Sequence, residues 1–422
     1  MVDVSAELAT NQSLTTADGR PLKVALAQAQ RQRRIKAVLL VLPLFLFIFI
    51  TFLYPIALML YRSVENPLIA KHMPRTLAIL ATWNGKGVPG EKAFAAAVED
   101  LKEARKNGVI GRVATRLNFE TSGIRSVITK TGRKAKRLKP PYKDALIKIR
   151  SEWGERETWA TIKRLSNTIT SVNYLGAIDR RYDADDNIVM RDEVRQIYVH
   201  LFNRTMWMSV IVTVACLLLG FPIAYLLASL PLRYSNLLMI LVLLPFWTSL
   251  LVRTTSWIVL LQTQGVLNDI MVWLGILGEK SRIQLIFNAQ GTVIAMTQIL
   301  LPFMILPLYS VMKTISPSYM RAAQSLGAHR FLAYWRVYLP QTLPGIGAGC
   351  LLVFILAIGY YITPALVGGQ DGQMISNMIA FHMQKSLNWG LAAALGGILL
   401  AGVIVLYWLY NTIVGVDRLK LG

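Results

Sequence analysis

Asp183, Asp185 and Asn187 come closest in this sequence to the spacing of a metal-binding loop. Oxygen ligands at alternate positions begin the calcium loop of an EF-hand, which also needs glycine at its sixth position and glutamate at its twelfth. Ile188 and Val194 occupy those positions here, so the pattern favours a solvated turn over a calcium site. The four histidines are scattered without metal-ligand spacing.

Motifs for catalysis are missing from the remaining sequence. We find no phosphate-binding glycine loop and no nucleophile elbow. The sequence therefore predicts no catalytic residue, no bound metal and no ATP hydrolysis by this chain. Any energy source must be supplied by a partner.

Apolar segments of membrane-spanning length dominate the composition, which is 54% hydrophobic. About 20 apolar helical residues cross a bilayer. Six segments qualify, and they predict an all-α integral membrane protein with six transmembrane helices: Ala37–Tyr61, Met206–Leu230, Leu237–Leu261, Ala289–Met312, Thr342–Ile362 and Leu391–Thr412.

None of the six segments contains Asp or Glu. Intramembrane carboxylates usually mark proton or ion relays, so their absence argues against a secondary transporter driven by protons or sodium. Trp247, Trp257, Tyr360 and Tyr361 are candidates for a path that accepts cations on aromatic faces, with interfacial belt positions as the alternative reading. Arg253 is the sole charge inside a segment, and it either gates cations or snorkels to the interface.

The net charge of +22 is distributed as expected for a membrane protein rather than a nucleic-acid-binding one. Basic residues flank the apolar segments, and by the positive-inside rule they place both termini and the loop 313–340 in the cytoplasm. Residues 62–205 carry 28 Lys or Arg against 16 Asp or Glu, a net +12. The topology makes this loop extracytoplasmic, and its positive charge does not conflict with that expectation because long loops translocate largely regardless of charge.

These boundaries predict five regions. A cytoplasmic tail (1–36) precedes the first helix (37–61), the extracytoplasmic insert (62–205), a five-helix core (206–412) and a cytoplasmic tail (413–422). The insert is expected to be α or α+β, with short strands possible in the β-branched stretch Gly111–Thr131. A basic cluster at Arg133, Lys134, Lys136, Arg137 and Lys139 precedes Pro140, which indicates an exposed loop rather than an anion site.

The loop 313–340, hereafter the amphipathic segment, has the signals of two short helices. Ser316 can cap the first helix, Pro317 suits its first turn, and Gly327 suits its end. A second apolar period follows, and Pro340 is expected to stop it. Apolar residues recur at helical spacing in both halves: Tyr319, Ala322, Ala323 and Leu326, then Phe331, Tyr334, Trp335 and Tyr338. Such a helix pair in an aqueous loop is suited to docking a partner.

This segment resembles the EAA loop of binding-protein-dependent ABC import permeases. The matching positions are Ala322, Ala323, Gly327, Val337, Leu339 and Pro340, and the departure is Arg321, where the family usually has glutamate. Further stretches are similar to the spermidine/putrescine branch, among them Leu241–Leu261, Leu301–Met312 and Gly359–Gly369. The similarity covers 37–61 and about 200–422, but not most of the insert.

The resemblance implies a type I importer permease in a bacterial inner membrane. Its partners would be an ABC ATPase dimer that uses ATP and Mg, a second permease subunit (a distinct homologue by analogy), and a periplasmic solute-binding protein. Polyamines are the expected solute, with amino acids, opines or other small cationic solutes as alternatives. A membrane-embedded enzyme and a membrane anchor for the insert are remote alternatives.

Overall fold

The computed structural model describes residues 22–414, so residues 1–21 and 415–422 of the two expected tails lie outside the described chain. The expected all-α fold is confirmed. By length and composition, the described residues contain five helices able to cross a membrane, or six if one bent helix pair is a single span.

The chain divides into two units, one ending at Tyr61 and the other beginning at Arg62. The described part of the first unit is one long helix that consists of α1 (Leu22–Ile48), a π turn (Phe49–Leu53) and the start of α2 (Tyr54–Val64), and it is apolar from Ala37 onward. The amide of Tyr54 donates to the carbonyl of Phe49, five residues back. This wider turn accommodates Pro55, which has no N–H to donate.

The insert is helical, with one small β-hairpin. Strands β1 (Arg180–Tyr182) and β2 (Ile188–Met190) pair antiparallel. The strands considered for Gly111–Thr131 are wrong, because these residues form two amphipathic helices that bury their apolar side chains. The helices are α3 (Pro67–His72), α4 (Pro74–Thr82), α5 (Glu91–Lys106), α6 (Ile110–Asn118), α7 (Ile124–Lys134), α8 (Tyr142–Ile149), α9 (Arg156–Arg164) and α10 (Val172–Ala177).

A separate hydrophobic core holds the insert together. Phe94 and Trp153 both pack against Trp159, with ring centroids 4.7 and 5.2 Å away. The indole N–H of Trp153 donates to Thr131 Oγ1 at 2.8 Å, and that of Trp159 donates to the carbonyl of Trp153 at 2.9 Å. Each buried polar atom of the two indoles is therefore satisfied, as a stable core requires.

Asp179 joins the insert to the first helix of the core, α11 (Tyr198–Ser229). Its buried carboxylate accepts hydrogen bonds from the amides of Ile197, Tyr198 and Val199, at 3.1, 3.1 and 2.7 Å. An anion at a helix N-terminus satisfies unpaired N–H groups and complements the helix dipole. The insert is thereby anchored directly to α11.

Ten further helices follow α11 in the described part of the chain. Helices α11, α15 and α18 share the main buried core. The bounds are α12 (Leu232–Leu243), α13 (Leu250–Leu261), α14 (Val266–Trp273), α15 (Ala289–Thr314), α16 (Pro317–Ser325), α17 (Arg330–Ala333), α18 (Leu339–Gly359), α19 (Ile362–Val367), α20 (Ile375–Gln384) and α21 (Trp389–Val414).

Glycines allow α15 and α18 to pack closely. A Cβ at Gly345 would lie 3.0 Å from Val311 Cβ, and a Cβ at Gly349 would lie 2.7 Å from Met304 Sδ. The small-xxx-small pair Gly345 and Gly349 thus permits a helix approach that larger residues would block.

The apolar segment Leu237–Leu261 is not one straight helix. A 3-10 turn (Leu244–Trp247) ends α12, and α13 begins after a bend of 94°. Ser249 caps α13 by accepting from the amide of Val252. Hydropathy alone could not detect this break, because both helices are apolar.

The insert and the amphipathic segment lie at opposite ends of the core. Asp179 binds the N-terminus of α11, whereas Lys313 donates to the carbonyl of Ala228 near its C-terminus, at 3.3 Å. Helix α11 has 32 residues, which span about 48 Å.

Candidate functional site

The first half of the amphipathic segment forms the expected capped helix. Ser316 Oγ accepts from the amide of Ser318, and Pro317 stands in the first turn of α16. At the other end, the amide of Gly327 donates to Gln324 O and that of Ala328 to Ala323 O, both at 3.0 Å. These two bonds form a Schellman motif, which requires the left-handed φ of +89° found at Gly327.

The second half does not end at Pro340, so the predicted proline stop is wrong. Helix α17 continues through a π turn (Tyr334–Tyr338) into α18, giving one uninterrupted helix Arg330–Gly359. The amide of Leu339 donates to the carbonyl of Tyr334, five residues back. As at Pro55, a wider turn accommodates a residue that has no N–H.

The π turn also divides the predicted apolar face. Tyr334 and Tyr338 turn inward and contact the ring of Tyr225 on α11, with centroids 5.8 and 5.5 Å away. Phe331 and Trp335 remain exposed, with 68% and 53% of their surface accessible. One aromatic pair therefore fixes the segment to the core, and the other is free for a partner.

The free surface of the segment is apolar and cationic. Leu326 is 89% exposed and Tyr319 is 54% exposed, while Ala322 lies open and Ala323 is half-buried. Arg321 is exposed and forms no ion pair with any residue in the described part of the chain. Exposed large apolar side chains beside unpaired cations are typical of an interaction surface.

Val337, Leu339 and Pro340 occupy the junction between the π turn and α18. Val337 and Leu339 are half-buried, and Pro340 is exposed in the first turn of α18. The carbonyl of Val337 accepts from the side-chain amide of Gln341 at 2.7 Å. Of the three residues, only Pro340 is exposed.

Arg253 lies in the first turn of α13, directly after the bend. Its Nη2 donates to the carbonyl of Thr248 at 3.2 Å, and its guanidinium lies 5.8 Å from the ring centroid of Phe246. Both contacts bridge the break between α12 and α13. These contacts hold the side chain of Arg253 against the bend, and the contribution of Phe246 was not anticipated from the sequence.

No ring contact joins the four aromatic path candidates in the described part of the chain. Trp247 is 74% exposed beside the bend, whereas the indole of Trp257 donates to Gln298 Oε1 at 3.1 Å. Tyr360 and Tyr361 follow α18, and their carbonyls accept from side chains of α20. Sequence reasoning missed Gln298, although an amide inside an apolar helix is a usable signal.

The EF-hand-like residues form the turn of the β-hairpin. Asp183 Oδ1 accepts from the amides of Asn187 and Asp185 at 2.9 and 2.8 Å, and these bonds, that of Asn187 above all, hold the pKa of Asp183 below its usual range. Asp185 pairs with Arg156. Within residues 22–414 no group of three or more His, Cys, Asp or Glu side chains could hold a metal ion.

Comparisons with known proteins match the C-terminal half of the chain. A family described as binding-protein-dependent transport system inner membrane component matches residues 206–414. The spermidine/putrescine transport system permease protein PotB of Escherichia coli (strain K12) is 36% identical over 215 residues, which cover 50% of this chain and 78% of the relative. PotB of Haemophilus influenzae is 39% identical over 226 residues, which cover 51% and 78%.

Among solved structures, a bacterial ABC transporter involved in the import of the acidic polysaccharide alginate aligns with a TM-score of 0.43 and 19% identity. The alignment covers 53% of this chain and 80% of that chain. The family match begins at residue 206 and therefore includes the amphipathic segment but not the insert.

Proposed function

The chain belongs to the family of inner-membrane components of binding-protein-dependent transport systems, and on that premise we propose which solute it carries and how it is driven. It is the permease subunit of an ABC importer. The proposed solute class is the polyamines, spermidine and putrescine, because the PotB relatives are named for them. Amino acids, opines and other small cationic solutes are the competing choices that a transport assay separates.

The amphipathic segment is our proposed docking site for the ATPase. The observation that carries this proposal is the uninterrupted helix from Arg330 to Gly359, which joins an exposed apolar surface to a membrane-spanning helix. A push on Phe331 or Trp335 is therefore transmitted to α18 without crossing a loop. In this role Ala322, Ala323 and Gly327 shape the contact, and Arg321 supplies a cation where the family usually has glutamate.

Other proposed partners follow from the importer class. An ATPase dimer would bind ATP and Mg, a second and distinct permease subunit would complete the path, and a periplasmic solute-binding protein would deliver the solute. This chain itself is proposed to hold no cofactor and to catalyse no reaction. The proposed orientation places both termini and the amphipathic segment in the cytoplasm and the insert outside, which agrees with their location at opposite ends of the core.

Specificity for a polycation is proposed to lie mainly outside this subunit. Its apolar spans contain no carboxylate, and within residues 22–414 no ring contact joins the aromatic candidates Trp247, Trp257, Tyr360 and Tyr361. A path that uses them would need the partner permease to complete it. Arg253 would stabilise the bend next to that path.

Uptake of labelled spermidine and putrescine tests the solute. Cells that lack this gene should regain ATP-dependent uptake when the chain and its partner subunits are restored. If an ATPase co-purifies but neither polyamine enters, the polyamine assignment is refuted and the importer class stands.

Leu326→Asp tests the docking role, with Val194→Asp as its matched control. Leu326 and Val194 are 89% and 92% exposed, so neither substitution removes a core contact. A charge buried in an apolar interface should weaken ATPase association about tenfold or more for Leu326→Asp. Equal ATPase association for both variants would refute docking through this surface.

A further inference from the structure

The insert carries a concentrated positive surface that the importer function does not yet explain. We call it the basic face, and it comprises Arg133, Lys134, Lys136, Arg137, Lys139 and Lys143. All six side chains are exposed, and within the described chain none forms an ion pair with an acidic residue. Residues 133–143 contain no Asp or Glu.

Two acidic residues adjoin this surface, and in the described chain neither forms an ion pair with it. Asp144 follows it directly and is exposed. The carboxylate of Glu91 instead accepts hydrogen bonds from the backbone amides of Tyr142 and Lys143 at the start of α8. Six cations at close spacing repel one another, so the basic face has electrostatic free energy to gain from an anionic partner.

The backbone under the basic face is rigidly supported. Lys134 ends α7, a 3-10 turn (Ala135–Arg137) follows, and α8 begins at Tyr142. Ala135 and Leu146 are fully buried in the insert core. The basic face thus lies on ordered elements, so binding of a partner does not carry the free-energy cost of ordering this backbone.

The elements that carry the basic face pack against other elements of the insert. Contacts with α21 and α11 are made instead by α10 and by Asp179. Between Arg62 and Thr168 no large hydrophobic side chain is exposed. A surface that inserts into lipid normally presents apolar anchors next to its cations, so the composition favours a soluble acidic partner.

We infer that the basic face docks an acidic surface of the solute-binding protein. This inference rests on the proposed function and adds the site of receptor docking to it. A protein that captures a polycation needs carboxylates at its binding cleft, so its rim offers the complementary charge. The same six cations repel free polyamine, which argues against a place for this face on the solute path.

The test replaces part of the basic face and compares it with equal changes elsewhere on the insert. Both variants alter the net charge by the same amount and change only exposed residues. The test variant is Lys134→Glu, Lys136→Glu, Lys139→Glu and Lys143→Glu, and the control is Lys71→Glu, Lys86→Glu, Lys106→Glu and Arg112→Glu.

Association of the spermidine-loaded binding protein is measured on the assembled transporter in neutral-lipid nanodiscs. Electrostatic steering raises association rates by about 10 to 1,000-fold, so the test variant should associate at least about tenfold more slowly at low salt. The difference from the control should shrink to about threefold or less at 0.5 M salt, where the Debye length is about 4 Å.

Three results would overturn the inference. If the binding protein associates with the test and control variants at equal rates, the basic face has no docking role. ATPase co-purification in that case would still support the importer function. Loss of binding to phosphatidylglycerol vesicles, with an unchanged rate for the binding protein, would assign the face to lipid instead. If neither ATPase nor binding protein associates with any form of the chain, the proposed function fails together with the inference.

Discussion

Substitutions at Gly327 should separate a backbone requirement from a steric one. The residue has φ +89°, and a Cβ built there meets no atom within 4 Å. A side chain therefore finds open space but must adopt left-handed backbone, at a cost of about 1–2 kcal/mol. We expect Gly327→Ala and Gly327→Leu to destabilise the turn by similar amounts, and Gly327→Asn by less, since asparagine tolerates this conformation.

Hydrogen exchange in the permease without its ATPase provides the measurement. The amides of Gly327 and Ala328 close the Schellman motif, and that of Ala328 should report its opening in all variants. Since 1.4 kcal/mol corresponds to a factor of ten, protection of Ala328 should fall about 5 to 30-fold in the Ala and Leu variants. Val194→Ala serves as an exposed control with no effect on this amide.

Two outcomes would refute this reasoning. A much larger loss for Leu than for Ala would show that the turn is crowded, contrary to the open space around Gly327. Full protection in the Ala variant would show that the left-handed backbone is not what ends α16.

Three further predictions concern the core and its contact with the insert. Gly349→Leu should lower the melting temperature through an overpacking cost of about 1–3 kcal/mol, whereas Gly402→Leu, whose Cβ meets nothing within 4 Å, should not. Asp179→Asn keeps the backbone but removes the charge that three amides share, and thermal unfolding should show a loss of about 1–3 kcal/mol. Burial, and secondarily the positive charge of Arg191, lowers the pKa of His382 in the folded protein. Below about pH 6.5 the unfolded chain therefore binds a proton at this histidine more readily than the folded protein does. Thermal stability should therefore fall from pH 7.5 to pH 5, and His382→Gln should flatten that profile.

Local signals in the sequence predicted the local structure well. Ser316, Pro317 and Gly327 act within one or two helical turns, so their effects can be read without knowing the tertiary fold. Resemblance to the import permeases supplied the function, because the small residues and the glycine keep a fixed spacing. The roles of the individual site residues remain predictions.

The misses have physical causes of two kinds. Pro340 was expected to stop a helix because that rule applies to α-helical turns, and the π turn provides another solution. The break after Trp247 was not predicted because hydropathy reports how apolar a segment is and not whether its helix axis changes direction. Pro245 and the cap residue Ser249 were local signals of the break. Gln298 obtains its partner Trp257 from the tertiary packing, which spacing along the chain does not reveal, and Arg253 obtains its partners Thr248 and Phe246 from the bend that hydropathy could not predict.

The π turn before Pro340 also has a consequence for the angular register of the helix. An α-helix advances about 100° per residue, so the extra residue of a π turn rotates everything before it by about that angle relative to α18. This rotation keeps Phe331 and Trp335 facing outward while Tyr338 remains against Tyr225. Removal of one residue from Tyr334–Tyr338 would leave the helix almost equally long but rotate the exposed aromatic pair to another side. The register of the helix, more than its length, thus decides which side of the segment carries the exposed aromatic pair.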